Sequence, residues 1–297
     1  MPRVEPCFEA RNIVGESLVW DDRENALCWV DIVGRRIHRF RPDNAVHESW
    51  NTPDLVTSIG LRRDGGAILG LRRSLVLFDF AETFRTVCEI EPGQPGNRLN
   101  EGVVGPDGCF WIGTMQNNIA PDGSPQEITA STGRIYRYTP DGTLHVQSDD
   151  VFGITNTFVW TVDGRFVTAD TLKNAIFSYA FDPTKKRLSD RKPLLCGFRQ
   201  GVPDGSCLDE EGFIWNCRVA GGACIIRLSP EGTVDRVAEL PCSSPTSCTF
   251  GGPNLDILYV TSARFGLTAG HLKANPLEGA VFAVKTGHRG LPGNRFG

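Results

Sequence analysis

The stretch Phe158-Val159-Trp160-Thr161-Val162-Asp163-Gly164-Arg165-Phe166-Val167 decides the fold, because it has the pattern of a β-hairpin. Two hydrophobic segments flank a polar turn that ends in Asp-Gly, a dipeptide that tight hairpin turns favour. A third segment, Ala175-Ile176-Phe177-Ser178-Tyr179, follows with largely alternating polar and apolar residues. That alternation is the period of a strand, so the pattern predicts a small antiparallel sheet.

The same unit recurs six times along the 297 residues. No segment carries a convincing helical stripe of apolar residues. Units of roughly 40 to 55 residues, each with three or four short strands, are typical of the blades of a β-propeller. The sequence therefore predicts an all-β fold, a six-bladed β-propeller, which residues 1–297 form as a single domain. The first hydrophobic segments of the six hairpins begin at Leu18, Ile59, Val103, Phe158, Cys207 and Cys248.

Polar residues with a side-chain oxygen occupy a common phase in these repeats. Glu16 fits that phase one residue less strictly than the other three. In a ring of repeats, residues that share a phase meet near the axis, and two amides with two carboxylates suit a hard divalent cation. The sequence therefore predicts a metal site in the central channel. The three residues that stand eight positions before a turn glycine are Asn100 before Gly108, Asn156 before Gly164 and Asp204 before Gly212.

Composition argues against several other functions. The net charge is −4 and no Lys/Arg run occurs, which argues against nucleic acid or an anionic membrane as a partner. The N-terminal residues lack a secretory core and the ten cysteines include no Cys-x-x-Cys pair, which indicates a cytoplasmic protein with reduced thiols. Nucleotide-binding loops, a serine nucleophile elbow and paired histidines are missing, so any metal must be held by oxygen.

Seven short motifs give the chain a specific resemblance. In their order, from about residue 10 to residue 285, the sequence resembles the senescence marker protein/regucalcin/gluconolactonase family. The resemblance implies a six-bladed propeller with one catalytic divalent metal in its channel, and hydrolysis of a small-molecule sugar lactone to the aldonic acid. The motifs are residues 15–20 (GESLVW), 29–32 (WVDI), 97–102 (NRLNEG), 111–115 (WIGTM), 154–156 (ITN), 203–205 (PDG), and 250–253 (FGGP) with 258–264 (LYVTSAR).

Carried over by position, the resemblance implies that Glu16, Asn156 and Asp204 ligate the metal. We expect the cation to polarise the lactone carbonyl while a water attacks it. Asp204 is the candidate general base, and Glu16 could share that role. Ca²⁺ is the expected ion, and Zn²⁺, Mn²⁺, Mg²⁺ or Fe²⁺ would also suit the site.

The resemblance further implies that Arg98 contacts the substrate and that Asn100 either ligates the metal or contacts the substrate beside it. Glu101 replaces an Asp that the family commonly has, and either binds sugar hydroxyls or faces solvent. Thr157 stands where a Gly is common, which predicts a tighter pocket. The segment around Arg218 is one residue longer than expected, so Arg218 could lean toward the channel and favour an anionic sugar lactone.

Three alternatives remain open from the sequence. A metal-dependent hydrolase of the phosphotriesterase or arylesterase type would use the same oxygen ligands. A non-enzymatic calcium-binding propeller would need no catalytic water. The region 115–133, rich in Asn, Pro, Gly, Ser and Thr, is either a lid over the channel or a solvated connection. The sequence makes no prediction of oligomeric state.

Overall fold

The computed structural model describes residues 3–297, which form six four-stranded antiparallel sheets. Five sheets consist of four strands that are consecutive in the chain. The first strand of each such set is innermost, and the following strands lie progressively further from the axis. Short polar turns connect them, except in blade 3, where a long loop joins the second strand to the third. This arrangement confirms the predicted six-bladed β-propeller.

The first three blades follow one another from the N-terminal side. Blade 1 contains β2 (Gly15–Asp21), β3 (Ala26–Asp31), β4 (Arg36–Arg41) and β5 (Val46–Asn51). Blade 2 contains β6 (Val56–Leu61), β7 (Ala67–Leu71), β8 (Ser74–Phe78) and β9 (Phe84–Glu89). Blade 3 contains β10 (Asn97–Val104), β11 (Phe110–Gln116), β12 (Ile135–Tyr138) and β13 (Leu144–Val146).

The remaining blades complete the ring. Blade 4 contains β14 (Thr155–Trp160), β15 (Arg165–Asp170), β16 (Ala175–Asp182) and β17 (Arg187–Cys196). Blade 5 contains β18 (Val202–Leu208), β19 (Ile214–Val219), β20 (Cys224–Leu228) and β21 (Val234–Glu239). Blade 6 contains β22 (Pro245–Gly251), β23 (Ile257–Ser262), β24 (Val281–Lys285) and the N-terminal strand β1 (Arg3–Phe8).

The two ends of the chain meet in blade 6. Strand β1 pairs antiparallel with β24, so it is the outermost strand of the blade whose other three strands come last in the sequence. The innermost strands contact one another in the order β2, β6, β10, β14, β18, β22 and back to β2. The ring is therefore closed by strand pairing as well as by packing between blades.

Apolar side chains fill the spaces between neighbouring blades. The second strands of blades 1, 3 and 5 each carry a fully buried tryptophan, namely Trp29, Trp111 and Trp215. The Trp215 indole Nε1 donates to Asp209 Oδ2 at 2.9 Å, so its one polar atom is satisfied inside the core. Packing between these blades thus uses large rings, and in blade 5 the polar atom of the ring is paired inside the core.

The structure also contains elements that the sequence did not predict. The outermost strands of blades 1, 3 and 5 are short and largely exposed, so their apolar periodicity is weak. A six-residue helix, Ala269–Ala274, has no buried residue and hence no apolar stripe.

All ten cysteines are free thiols. Within residues 3–297, none of the helices has the length and apolarity that crossing a bilayer requires.

The C-terminal segment covers one end of the central channel. Phe296 pairs with blade 2, where its backbone N–H donates to Leu61 O at 2.8 Å. Arg295 Nη2 donates to Asp21 Oδ1 in blade 1 at 2.7 Å. Residues 291–295 therefore enclose, with the C-terminal halves of the inner strands, a cavity of about 560 Å³ at this end. The predicted site residues lie toward the opposite end.

Candidate metal and substrate site

A β-bulge interrupts the innermost strand beside the predicted site residues. In blade 1 the register with β3 shifts between Glu16 and Val19, and in blade 4 the register with β15 shifts between Asn156 and Val159. Two residues of the inner strand then oppose one residue of its partner. Such a bulge bends the strand and changes the direction of nearby side chains.

In blades 3 and 5 the bulge begins one residue earlier along the inner strand. In blade 3 the shift falls between Leu99 and Gly102, and in blade 5 between Pro203 and Ser206. Asn100 and Asp204 are therefore inside the bulge, whereas Glu16 and Asn156 come immediately before it. The turns of blades 3, 4 and 5 have the same length, and in each blade the predicted site residue stands four positions before the last paired residue of the inner strand. The bulge, rather than the site residue, is therefore what differs in position between these blades. The pairs that close the turns are Val104 with Phe110, Trp160 with Phe166, and Leu208 with Ile214.

The structure nevertheless brings the two predicted ligand carboxyl groups together. Glu16 and Asp204 lie within hydrogen-bonding reach of each other, although they come from blades 1 and 5. Burial, and then the nearby Glu101 carboxylate, raises the pKa of Glu16 to about 8. Burial, and then the Glu16 carboxylate, raises the pKa of Asp204 well above its usual value. Two negative charges at this place are therefore unfavourable without a cation.

Glu101 belongs to the same cluster of acidic groups. Its carboxyl group is close enough to raise the pKa of both Glu16 and Asp204. Burial raises the pKa of Glu101 itself to about 7. Its Oε1 accepts from the Gly102 N–H at 3.1 Å. The Glu101 side chain therefore lies beside the other acidic groups, and its binding of sugar hydroxyls stays a prediction.

The two predicted amides are hydrogen-bonded to each other. Asn100 Nδ2 donates to Asn156 Oδ1 at 3.1 Å and to the Thr155 carbonyl at 2.8 Å. The amide nitrogen of Asn156 is also held, because Nδ2 donates to Thr171 Oγ1 at 2.8 Å. These contacts direct Asn156 Oδ1 toward Asn100, within the buried part of the site. Thr171 carries no signal in the repeat pattern, because it lies in a short 3₁₀ turn after β15.

Arg98 is buried beside the acidic cluster and is held by neutral acceptors. Its Nη1 donates to Asn100 Oδ1 at 2.7 Å and to the Leu99 carbonyl, while its Nε and Nη2 both donate to Asn118 Oδ1. Burial lowers the pKa of Arg98 to about 10, so the group remains charged at neutral pH. No carboxylate among residues 3–297 forms an ion pair with it. The contact with Asn118 was not predicted, because that residue lies in the irregular loop of blade 3.

The loop between β11 and β12, residues 117–134, extends from blade 3 to the opposite side of the ring and is called the lid loop below. Gly123 of the loop lies against Val33 of blade 1, because a Cβ added to this glycine would be 3.2 Å from Val33 Cγ1. Pro125 lies against Gly266, in the connection between β23 and β24 of blade 6, where an added Cβ would be 3.2 Å from Pro125 Cγ. Ile119 is 6% exposed and packs into the apolar cluster of blades 1 and 2. The loop is thus anchored on both sides of the channel opening, as a lid would be.

Two expectations about specificity are corrected by the structure. Thr157 does not narrow a pocket, because its Oγ1 donates to the Asp204 carbonyl in the next blade and its side chain is fully buried. Arg218 does not lean toward the channel as a free cation. It is 1% exposed, and its guanidinium donates to Asn174 Oδ1, Asn216 Oδ1 and the Gly201 carbonyl. Arg218 is therefore part of the scaffold of blade 5.

The donor set fits a hard divalent cation. Among residues 3–297, no three Asp, Glu, His or Cys side chains form a metal-binding group of the usual kind. The predicted ligands differ from that kind because the third donor is the amide oxygen of Asn156. Oxygen donors only, and two carboxyl groups whose charges repel, are what Ca²⁺, Mg²⁺ or Mn²⁺ would stabilise.

Comparisons with known proteins agree with this architecture. Residues 14–264 match the family described as SMP-30/Gluconolactonase/LRE-like region. An L-arabinolactonase of Azospirillum brasilense is 33% identical over 306 aligned residues, which cover 100% of this chain and 98% of the relative. A 6-deoxy-6-sulfogluconolactonase of Pseudomonas putida is 32% identical and covers 92% and 91% of the two chains.

A solved structure resembles the whole chain as well. It is the crystal structure of a calcium-binding protein, regucalcin, from Agrobacterium tumefaciens, with a TM-score of 0.87 and 26% identity. The similarity covers 99% of this chain and 98% of that one. The match to the family covers most of the chain. The L-arabinolactonase and the 6-deoxy-6-sulfogluconolactonase both exceed 30% identity over nearly all of it. The chain therefore belongs to the SMP-30/gluconolactonase/LRE-like family.

Proposed function

We propose that this protein is a metal-dependent lactonase that hydrolyses a sugar lactone to the aldonic acid. The observation that carries the proposal is the buried pair of carboxyl groups, Glu16 and Asp204, beside the charged Arg98. Two relatives with lactonase names, at 32% and 33% identity, support the same chemistry. The calcium-binding name of the Agrobacterium relative supports a divalent cation in the channel.

The metal would be held by Glu16, Asn156 and Asp204. When bound, such a cation supplies Lewis-acid polarisation of a carbonyl group and lowers the pKa of water. The two carboxylates then have a second use, because either could accept the proton of the attacking water. Asp204 is the more buried of the two at 6% exposure, and we retain it as the first candidate for the general base.

The remaining residues of the site would bind and orient the sugar. Arg98 offers a fixed cation with planar donors, suited to ring hydroxyls or to a developing negative charge. Asn100 holds Arg98 on one side and Asn156 on the other, so it transmits the position of the substrate residue to the ligand residue. Glu101 would accept hydrogen bonds from sugar hydroxyls. The lid loop would limit access of bulk water.

The test is a pH-indicator assay of sugar lactone hydrolysis on chelated protein, with divalent metals added back one at a time. We expect no turnover without metal and restored turnover with Ca²⁺ or another hard cation. Glu16→Gln and Asp204→Asn should each lower kcat by about a hundredfold or more. Asp190→Asn is the matched control, because this carboxyl group is half-exposed and lies on the outside of blade 4.

The same assay separates the competing functions. Faster hydrolysis of aryl esters or organophosphates than of any lactone would replace the proposal with an esterase function. Calcium binding by calorimetry with no turnover of any substrate would favour a calcium-binding protein without catalysis. Metal-independent lactone hydrolysis that survives Asp204→Asn would reject the site.

A further inference from the structure

A second cavity lies beside the candidate site, between the lid loop and the top of blades 1 and 2. Its volume is about 680 Å³, which is within the usual range for small-molecule sites. Apolar side chains from blades 1 and 2 form one wall. The charged and amide side chains that line it are Arg35, Arg72, Gln116, Asn117, Asp122 and Gln126.

Arg72 is the unusual member of this lining. It lies in the turn between β7 and β8, and its side chain forms no ion pair and no hydrogen bond with residues 3–297. Its Nε atom is buried and has no partner. A buried donor without an acceptor costs free energy and calls for an explanation. A guanidinium that faces a cavity under these conditions is suited to a ligand with several oxygen acceptors.

The charge balance of the cavity also favours an anion. Arg35, which is exposed at its mouth, likewise has no carboxylate partner among residues 3–297. Asp122 is the one carboxylate among the lining residues, and its Oδ1 already accepts from the Ser124 N–H and Oγ. Two guanidinium groups therefore face one carboxylate. The net positive charge distinguishes this cavity from the acidic cluster in the channel.

The cavity and the candidate site share the lid loop as a common wall. Asn117 N donates to the Gly96 carbonyl at 2.9 Å, and both residues line the cavity. The next residue, Asn118, holds Arg98 from the other side. The Arg72 carbonyl accepts from the Leu99 N–H at 2.8 Å, one residue away from both Arg98 and Asn100. The residues that line the cavity are therefore direct neighbours, along the chain or by hydrogen bond, of those that hold Arg98.

From these contacts we propose that the cavity binds an anionic substituent of the substrate, with Arg72 as its main contact. This inference rests on the proposed lactonase function and refines its substrate class. The substituent would be a carboxylate, sulfonate or phosphate at the end of the sugar away from the lactone carbonyl. Each of these groups presents the oxygen acceptors that a guanidinium binds in parallel hydrogen bonds.

The experiment compares lactones that share one ring and differ in the terminal group. A neutral hexonolactone is measured beside its 6-carboxylate, 6-sulfonate and 6-phosphate counterparts, on metal-loaded protein. We expect kcat/KM to be at least tenfold higher for one anionic lactone than for the neutral one. Arg72→Gln should remove about ten- to hundredfold of kcat/KM for the anionic lactone and leave the neutral lactone within about twofold. Arg72→Lys should retain part of the preference.

Arg36→Gln is the matched control, because Arg36 is exposed in β4 and does not line the cavity. Turnover of the neutral lactone with no anionic preference, or a preference that Arg72→Gln leaves unchanged, overturns this inference and leaves the lactonase function standing. If no lactone is hydrolysed, the proposed function fails. Binding of the anionic aldonates, measured by calorimetry, then decides the subsite. Loss of that binding in Arg72→Gln supports the subsite. Equal binding by the variant and the wild type, or no binding by the wild type, overturns it.

Discussion

At the scale of single residues, the site combines groups that are unfavourable for stability. Glu16 and Asp204 are carboxyl groups that face each other in a buried place, and burial is the main cause of the raised pKa of each. Neutral side chains at these two positions would make the metal-free fold more stable. Residues that oppose stability in this way are often retained for function, and here they are explained by a cation that binds only the folded chain.

This reasoning predicts the opposite effects of one substitution on stability and on metal binding. Asp204→Asn removes one of two facing charges, so we expect it to stabilise the chelated protein by about 1–2 kcal/mol, or roughly 2–5 °C in Tm. Added Ca²⁺ should raise the Tm of the wild type and not that of the variant. Differential scanning calorimetry with and without metal measures both effects. A chelated variant that melts below the wild type would contradict the account of the charge pair.

At the scale of the strand, the bulge performs two tasks with neighbouring residues. In blades 1, 4 and 6 its first residue is Ser17, Thr157 or Thr246, and each hydroxyl group bonds to the backbone of the next blade. Asn100 occupies the same place in blade 3 and donates to the Thr155 carbonyl of blade 4. Asp204 is the exception in blade 5, where the side chain faces Glu16 instead. One backbone feature thus serves both cohesion of the ring and placement of the acidic group.

Thr157 allows a test of the structural task. Thr157→Val keeps the shape of the side chain and removes the donor to the Asp204 carbonyl, so we expect a loss of about 1–3 kcal/mol in the free energy of unfolding. Thr157→Ser is the matched control, because it keeps the hydroxyl and reduces the crowding of a β-branched residue at a φ of 58°. Urea unfolding measures both variants. Equal stability of the Val and Ser variants would show that this bond between blades contributes little.

At the scale of the whole molecule, stability depends on closure of the ring by β1. This strand covers the edge of β24, and Phe8 packs against Phe40 of blade 1 with ring centroids 4.8 Å apart. The N-terminal strand therefore joins blade 6 and also fills the space between blades 6 and 1. A propeller without this strand would expose an unpaired edge.

Removal of residues 1–8 is therefore expected to lower Tm more than any single substitution proposed above. The unfolding transition should also broaden, because blade 6 would separate from a ring that otherwise unfolds as one unit. Removal of residues 1–2 alone is the control, since β1 begins at Arg3. Thermal unfolding followed by circular dichroism measures the change. A truncated chain with the Tm and transition width of the control would refute closure by β1.

The sequence by itself determined the number of blades, their hairpins and most members of the candidate site. The reason is local: turn dipeptides and alternating apolar residues depend on neighbours within ten positions of each other. Family motifs then indicated the roles of Glu16, Asn156 and Asp204, and the roles of these residues remain predictions until they are tested.

Only the tertiary structure decided which atoms meet. The bulge starts at Asn100 and Asp204 in blades 3 and 5 but one residue after Glu16 and Asn156 in blades 1 and 4, and no spacing in the sequence reports that difference. Arg218 was predicted to approach the channel, but acceptors from blades 4 and 5 hold it in the scaffold. Arg72 showed no signal in the repeats, because its unpartnered donor becomes visible only when the lid loop packs across from blade 3. These contacts join residues that are far apart in the sequence, and such residues come within bonding distance only when the six blades close into a ring.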